Sequence, residues 1–254
     1  MKNILKPDKL PWIVLGSGLL GLLLRLHLMG TEDAKGLLAS GHPAELILWI
    51  LTGCVLALLL YGTRNLLEAD KYFFNFPASL PGGIGTLLAA MGIAITSLIE
   101  LYDGADFMGS ITAWLGIIAA LALILAASCR WKGYHPSRLC YAAVCLYLMV
   151  RLIFLYRHWS ADPQLQDYCF QILAAVFLML AAYHRAAFAA DAGKRRPYAF
   201  FNLASIYFCC LSLTSPEHIP LYLGAGVWML MDLCSLIPAE NGQRTSFRRK
   251  QVDD

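Results

Sequence analysis

Polar positions in this chain come in short clusters separated by long apolar runs. Eight runs stand out, at approximately 11–30, 44–62, 83–101, 109–128, 139–157, 166–185, 199–214 and 218–237. A helix needs about 20 apolar residues to cross a hydrocarbon core about 30 Å thick. The pattern therefore predicts an all-α, polytopic integral membrane protein with eight transmembrane helices. The last run is the weakest, because Pro220, Gly224, Gly226 and Asp232 interrupt it. The connections are short, so consecutive helices are expected to be antiparallel neighbours.

Charge placement orients this layout. Counted on alternate sides of the eight runs, sixteen Lys and Arg residues fall on the side of the two termini. They include Lys2, Lys6, Lys9, Arg64, Lys71, Arg130, Lys132, Arg138, Arg185 and the Lys194–Arg196 cluster. Only Lys35 and Arg157 fall on the other side. Positive loops stay in the cytoplasm, so both termini are expected there. Glu32, Asp33, Asp103, Asp106, Asp162 and Glu217 collect on the outer side. Composition agrees: 59% of the 254 residues are hydrophobic and 15% are charged, against roughly 25% charged in a soluble domain. The lipid bilayer is the first partner this implies.

Lys2, Lys6 and Lys9 before the first run resemble the start of a secretory signal. No convincing small-x-small site follows and seven more spans do, so the run reads as a retained helix. Residues 1–237 then form one transmembrane domain and 238–254 a basic, polar cytoplasmic tail. Arg25 precedes Glu45 by 20 residues, and Arg151 precedes Gln171 by 20. This spacing raises a parallel duplication relating 1–128 to 129–237. The longest inner loop, "GTRNLLEADKYFFNFPASLPGG" from Gly62, carries Tyr72, Phe73, Phe74 and Phe76. It is expected to lie in the headgroup region, with a gating or docking loop as the alternative.

Motifs for soluble chemistry are missing or misplaced. "GSGLLG" (Gly16–Gly21) matches a dinucleotide fingerprint but lies inside the first span, with no strand before it. It reads instead as a small-xxx-small packing pair, Ser17 with Gly21. There is no nucleotide-binding P-loop, no H-E-x-x-H and no G-x-S-x-G. The eight cysteines lack metal spacing and are expected to pack as small hydrophobes. His42, Glu45, His158 and Asp162 share the outer side but read as solvated groups. No catalytic residue, cofactor, metal or nucleic-acid partner is indicated.

The candidate site rests on charges inside the spans, each costing roughly 2.5–3.5 kcal/mol at a helix centre. They are Arg25, Glu100, Arg151 and Asp232. The first three share the outer third of the membrane, so Glu100 is expected to pair with Arg151. Arg25, Glu100 and Arg151 are the candidate ligand-binding residues of an outward-facing pocket. Its ligand would be an anionic or zwitterionic small solute gripped by arginine. The competing reading has Arg25 snorkelling, Glu100 at the interface and Arg151 in a structural pair. Asp232, near the inner side, is expected to face the protein interior.

"KGLLASGHPAE", "YRHWSADPQLQDY" and "AAYHRAAF" resemble segments of uncharacterised multi-pass membrane proteins of clostridial bacteria. The resemblance implies a bacterial cytoplasmic (inner) membrane and no particular activity. The functional expectation is a small-solute transporter or a membrane component of one. The alternative is a non-transporting sensor or partner-binding protein, whose basic cytoplasmic loops meet anionic lipid or a soluble partner.

Overall fold

A computed structural model describes residues 9–30, 43–64, 66, 71–104, 106–159, 165–214 and 218–236. Seven long apolar helices are present: α1 (Leu10–Met29), α2 (Pro43–Thr63), α4 (Leu80–Tyr102), α5 (Phe107–Lys132), α6 (Arg138–Trp159), α7 (Leu165–Phe188) and α8 (Arg195–Leu211). The last continues as a 3₁₀ turn over Ser212–Thr214, and the combined segment is long enough to span. A single-turn helix, α3 (Tyr72–Asn75), precedes α4. The eighth expected span is α9 (Ile219–Cys234), 16 residues long. At 1.5 Å per residue it covers about 24 Å, less than a full hydrocarbon core. Among the described residues the chain is all-helical, and it has the helices of a multi-pass membrane protein.

The side-chain distribution has the same cause. Leu19, Leu23, Leu46, Ile50, Leu60 and Leu125 are exposed on the outside of the bundle. In water such a surface would be unfavourable, whereas acyl chains solvate it. Buried stripes run along the opposite faces, as Val14, Gly18, Gly21, Arg25 and Leu28 do in α1. Their three- and four-residue spacing is the helical repeat.

Six helices close a ring: α4 packs on α5, α5 on α6, α6 on α7, α7 on α8, α8 on α9, and α9 back on α4. α1 and α2 pack against α8 from outside the ring. The seam between α4 and α9 is antiparallel and unusually close. A Cβ on Gly92 would strike the Pro220 carbonyl, and one on Gly224 would sit 2.6 Å from the Leu88 carbonyl oxygen. The glycines that weaken the eighth run as a hydropathy signal are therefore what lets two backbones touch. In α1 the close approach to α8 uses Gly18 and Gly21, each of whose Cβ atoms would lie 3.0 Å from α8 side chains. Ser17 is instead satisfied within its own helix, donating to the Val14 carbonyl at 2.8 Å.

Three helix boundaries differ from expectation. α5 runs to Lys132, α7 to Phe188, and α8 starts at Arg195. Arg130, Arg185 and Arg195, counted above as loop cations, are therefore helical and buried. The loop before α4 also differs. Phe73 is exposed, but Tyr72 and Phe76 are each 2% exposed and pack with Phe188 and Tyr198 beneath the bundle. The backbone N–H of Tyr72 donates to Asp191 Oδ1 at 2.9 Å, which anchors this segment to the α7–α8 turn. All eight cysteines are free thiols. His42, Asp162, the His158 side chain and the tail at 238–254 lie outside the described residues.

Candidate functional site

The ring carries a charged cluster at each end. At the first, α6 presents Arg151 across the ring to Glu100 on α4. Arg151 Nη1 lies 2.7 Å from Glu100 Oε1 and also donates to the Tyr147 hydroxyl at 3.1 Å. Its Nη2 lies 3.2 Å from Nδ1 of His218, the residue that precedes α9. Helix geometry explains the Tyr147 contact, since residues four apart stand over one another. Arg151 is fully buried, and the Glu100 side chain is 17% exposed. Two atoms in this cluster, Arg151 Nε and Glu100 Oε2, are buried without a hydrogen-bond partner among the described residues.

Arg25 is placed differently. Its Nη1 donates to the Leu211 carbonyl at 2.7 Å, and its guanidinium lies 5.3 Å from the centre of the Phe170 ring. Leu211 ends α8, so Arg25 satisfies a terminal carbonyl and complements the negative end of the helix dipole. Tyr222 on α9 is buried, and its hydroxyl donates to the Gln171 carbonyl at 3.3 Å. The structure thus joins Arg151 directly to Glu100, while Arg25 is held at the Leu211 carbonyl beside Phe170.

The second cluster was only partly legible in the sequence. Asp232 on α9 is fully buried in the protein interior, as expected. Its partners are Arg130 from α5, with Nη2 to Oδ1 at 3.3 Å, and Arg185 from α7, with Nε to Oδ2 at 3.2 Å. The Tyr198 hydroxyl on α8 donates to Oδ2 at 3.2 Å, and Arg130 also donates to Ser235 Oγ. Arg185 lies flat over Phe76, 3.5 Å from the ring centre, with Tyr72 and Tyr141 each at 5.2 Å. Arg130 lies 5.0 Å from the same Phe76 ring. One signal in the sequence pointed to Arg185. "HRAAF" continues apolar past the arginine, which a helix ending at the charge would not do. Tyr141, beside Arg185, also stacks on Trp228, with ring centres 6.4 Å apart.

No group of three or more His, Cys, Asp or Glu that could hold a metal is found among the described residues. The chain matches no protein-family model, no curated protein and no solved structure. Its chemistry must be read from these two clusters.

Proposed function

We propose that the protein is a carrier, or the membrane component of one, for a small anionic or zwitterionic solute. The carrying observation is the unmet pair in the first cluster. Arg151 Nε is a buried donor and Glu100 Oε2 a buried acceptor, both without partners among the described residues. A solute carboxylate would answer the first and an ammonium group the second. Unmet polar atoms in a membrane interior cost several kcal/mol each, which favours a polar occupant. Arg25, held at the Leu211 carbonyl beside Phe170, adds positive field.

The Glu100 end faces outward and the Asp232 end faces the cytoplasm. Support comes from the flanking charges. Arg64, Lys71, Lys132, Arg138, Lys194 and Arg196 border the Asp232 end, while Asp103 and Asp106 border the other. In this orientation both termini are cytoplasmic, and the membrane is the bacterial inner membrane. A membrane-impermeant thiol reagent should label Asp106→Cys in intact cells. It should label Ala192→Cys only after permeabilisation, and external labelling at 192 would reverse the orientation.

The functional test is thermal stabilisation of the detergent-purified protein by a panel of anionic and zwitterionic solutes, followed by uptake into proteoliposomes. A stabilising solute should be taken up by the wild type, and Arg151→Lys should lose both responses. Stabilisation without uptake would favour the second reading, a non-transporting sensor or partner-binding protein. That reading draws on the backbone-tight seam of α4 and α9 and on the unbroken long helices.

A further inference from the structure

The second cluster has more positive charge than its one carboxylate can balance. Arg130 and Arg185 are both buried, with Asp232 as the acid between them. Several of their N–H groups have no hydrogen-bond partner among the described residues: Nε and Nη1 of Arg130, and Nη1 and Nη2 of Arg185. Guanidinium faces stacked on Phe76 and Tyr72 account for the flat sides of these groups. Along the edges, Arg130 Nη2 meets Asp232 and Ser235 and Arg185 Nε faces Asp232, while the donors named above are unanswered.

The first turn of α4 sharpens the point. Gly82 lies so close to Arg130 that a Cβ there would strike its Nε and stand 2.7 Å from its Nη2. A helix N-terminus carries partial positive charge and prefers an anion. Here a guanidinium lies against it instead. The turn has no acidic residue, and Ser79 at the N-cap position makes no side-chain capping bond. Ser79 Oγ is buried without a partner and would stand 2.6 Å from the same Gly82 Cβ. A guanidinium and a helix dipole of the same sign thus meet at this turn, and Arg185 shares Asp232 and the Phe76 ring with that guanidinium.

We propose that this cluster binds a phosphate group, held by the edges of Arg130 and Arg185 against the Ser79–Gly82 turn of α4, beneath Tyr72 and Phe76. Arginine forks match a multi-oxygen anion in a way that a spherical halide cannot use. The phosphate comes either from solution or from the headgroup of an anionic phospholipid, since the site lies at an end of the membrane bundle. It is separate from the Arg151–Glu100 cluster and does not depend on the function proposed for that one.

The test uses the full-length protein. In detergent, inorganic phosphate is titrated against chloride at matched ionic strength, and the melting temperature is followed. In parallel, nanodiscs of phosphatidylglycerol are compared with nanodiscs of phosphatidylcholine, and native mass spectrometry reads retained phospholipid. Phosphate-specific stabilisation identifies a soluble oxyanion. Stabilisation by phosphatidylglycerol with retained lipid identifies a headgroup. Arg130→Lys keeps the charge but loses the fork, and should weaken the response at least about tenfold. Ser79→Asp places a carboxylate at the α4 cap. It should raise stability in phosphate-free, phosphatidylcholine conditions and abolish the response. No preference for phosphate or phosphatidylglycerol in the wild type overturns the proposal. So does a response left unchanged by both variants.

Discussion

Glu100→Ala and Arg151→Ala should each destabilise the protein strongly, and the double variant should be less damaged than the two losses added together. Arg151 is fully buried and its nearest counter-charge is Glu100 at 2.7 Å. Truncating one partner of a buried pair leaves the other charge uncompensated, at about 3–5 kcal/mol. The larger loss belongs to Glu100→Ala. It strands a fully buried arginine, which keeps its positive charge, without its carboxylate. Residues in contact couple by about 0.5–3 kcal/mol, and the coupling here should lie toward the upper end. The readout is the melting temperature of the purified protein together with its yield in membranes. A matched apolar replacement, Arg151→Met with Glu100→Leu, separates two roles. A folded protein with intact uptake makes the pair structural. A folded protein without uptake makes it part of the solute site. Additive single losses would mean that Arg151 draws its stability from His218 and Tyr147 instead.

Asp232→Ala should be the most damaging substitution at the other end of the ring. One carboxylate is ion-paired with Arg130 and Arg185 and accepts from Tyr198, so its removal strands two guanidiniums at once. The expected loss exceeds about 3–5 kcal/mol, the range for stranding one charge. Arg130→Ala and Arg185→Ala should each cost less, because either leaves Asp232 with a remaining arginine. That order is the informative part, and melting temperatures of the three variants under one condition measure it. Asp232→Asn should fall between, since the amide still accepts one hydrogen bond but brings no charge. If Arg185→Ala proved as damaging as Asp232→Ala, the packing of its guanidinium against Phe76 would outweigh the ion pair.

The candidate site illustrates how far a one-dimensional pattern reaches. Arg151 could be paired with Glu100 from depth alone, because both lie near the same end of helices running in the same direction. Arg25 satisfied the same depth argument yet reaches the Leu211 carbonyl, because depth does not specify the direction a side chain takes around its helix. The charge count places Arg130 and Arg185 among the inner loop cations, just past or at the end of an apolar run. A charge near a span end lowers the local average whether it points to water or into the protein. Asp232 carried the missing information, since a buried acid in a membrane requires a donor at its own depth.

The sequence by itself determined the class of the protein and the approximate position of its long apolar helices. Those follow from transfer free energies, which sum over neighbouring residues and need no knowledge of the partner helix. It also determined that Asp232 must face inward, because lipid offers a carboxyl group no partner. Only the tertiary structure decided that α4 to α9 close a ring with α1 and α2 outside it. That choice depends on which small residues meet, as Gly92 meets Pro220 and Gly224 meets Leu88. It also decided that Tyr72 and Phe76 turn under the bundle to cover two arginines. An aromatic side chain has nearly the same hydropathy over a guanidinium as in a headgroup layer. The distinction lies in the geometry of a ring face within 3.5 Å of Arg185, contributed by a residue more than a hundred positions away.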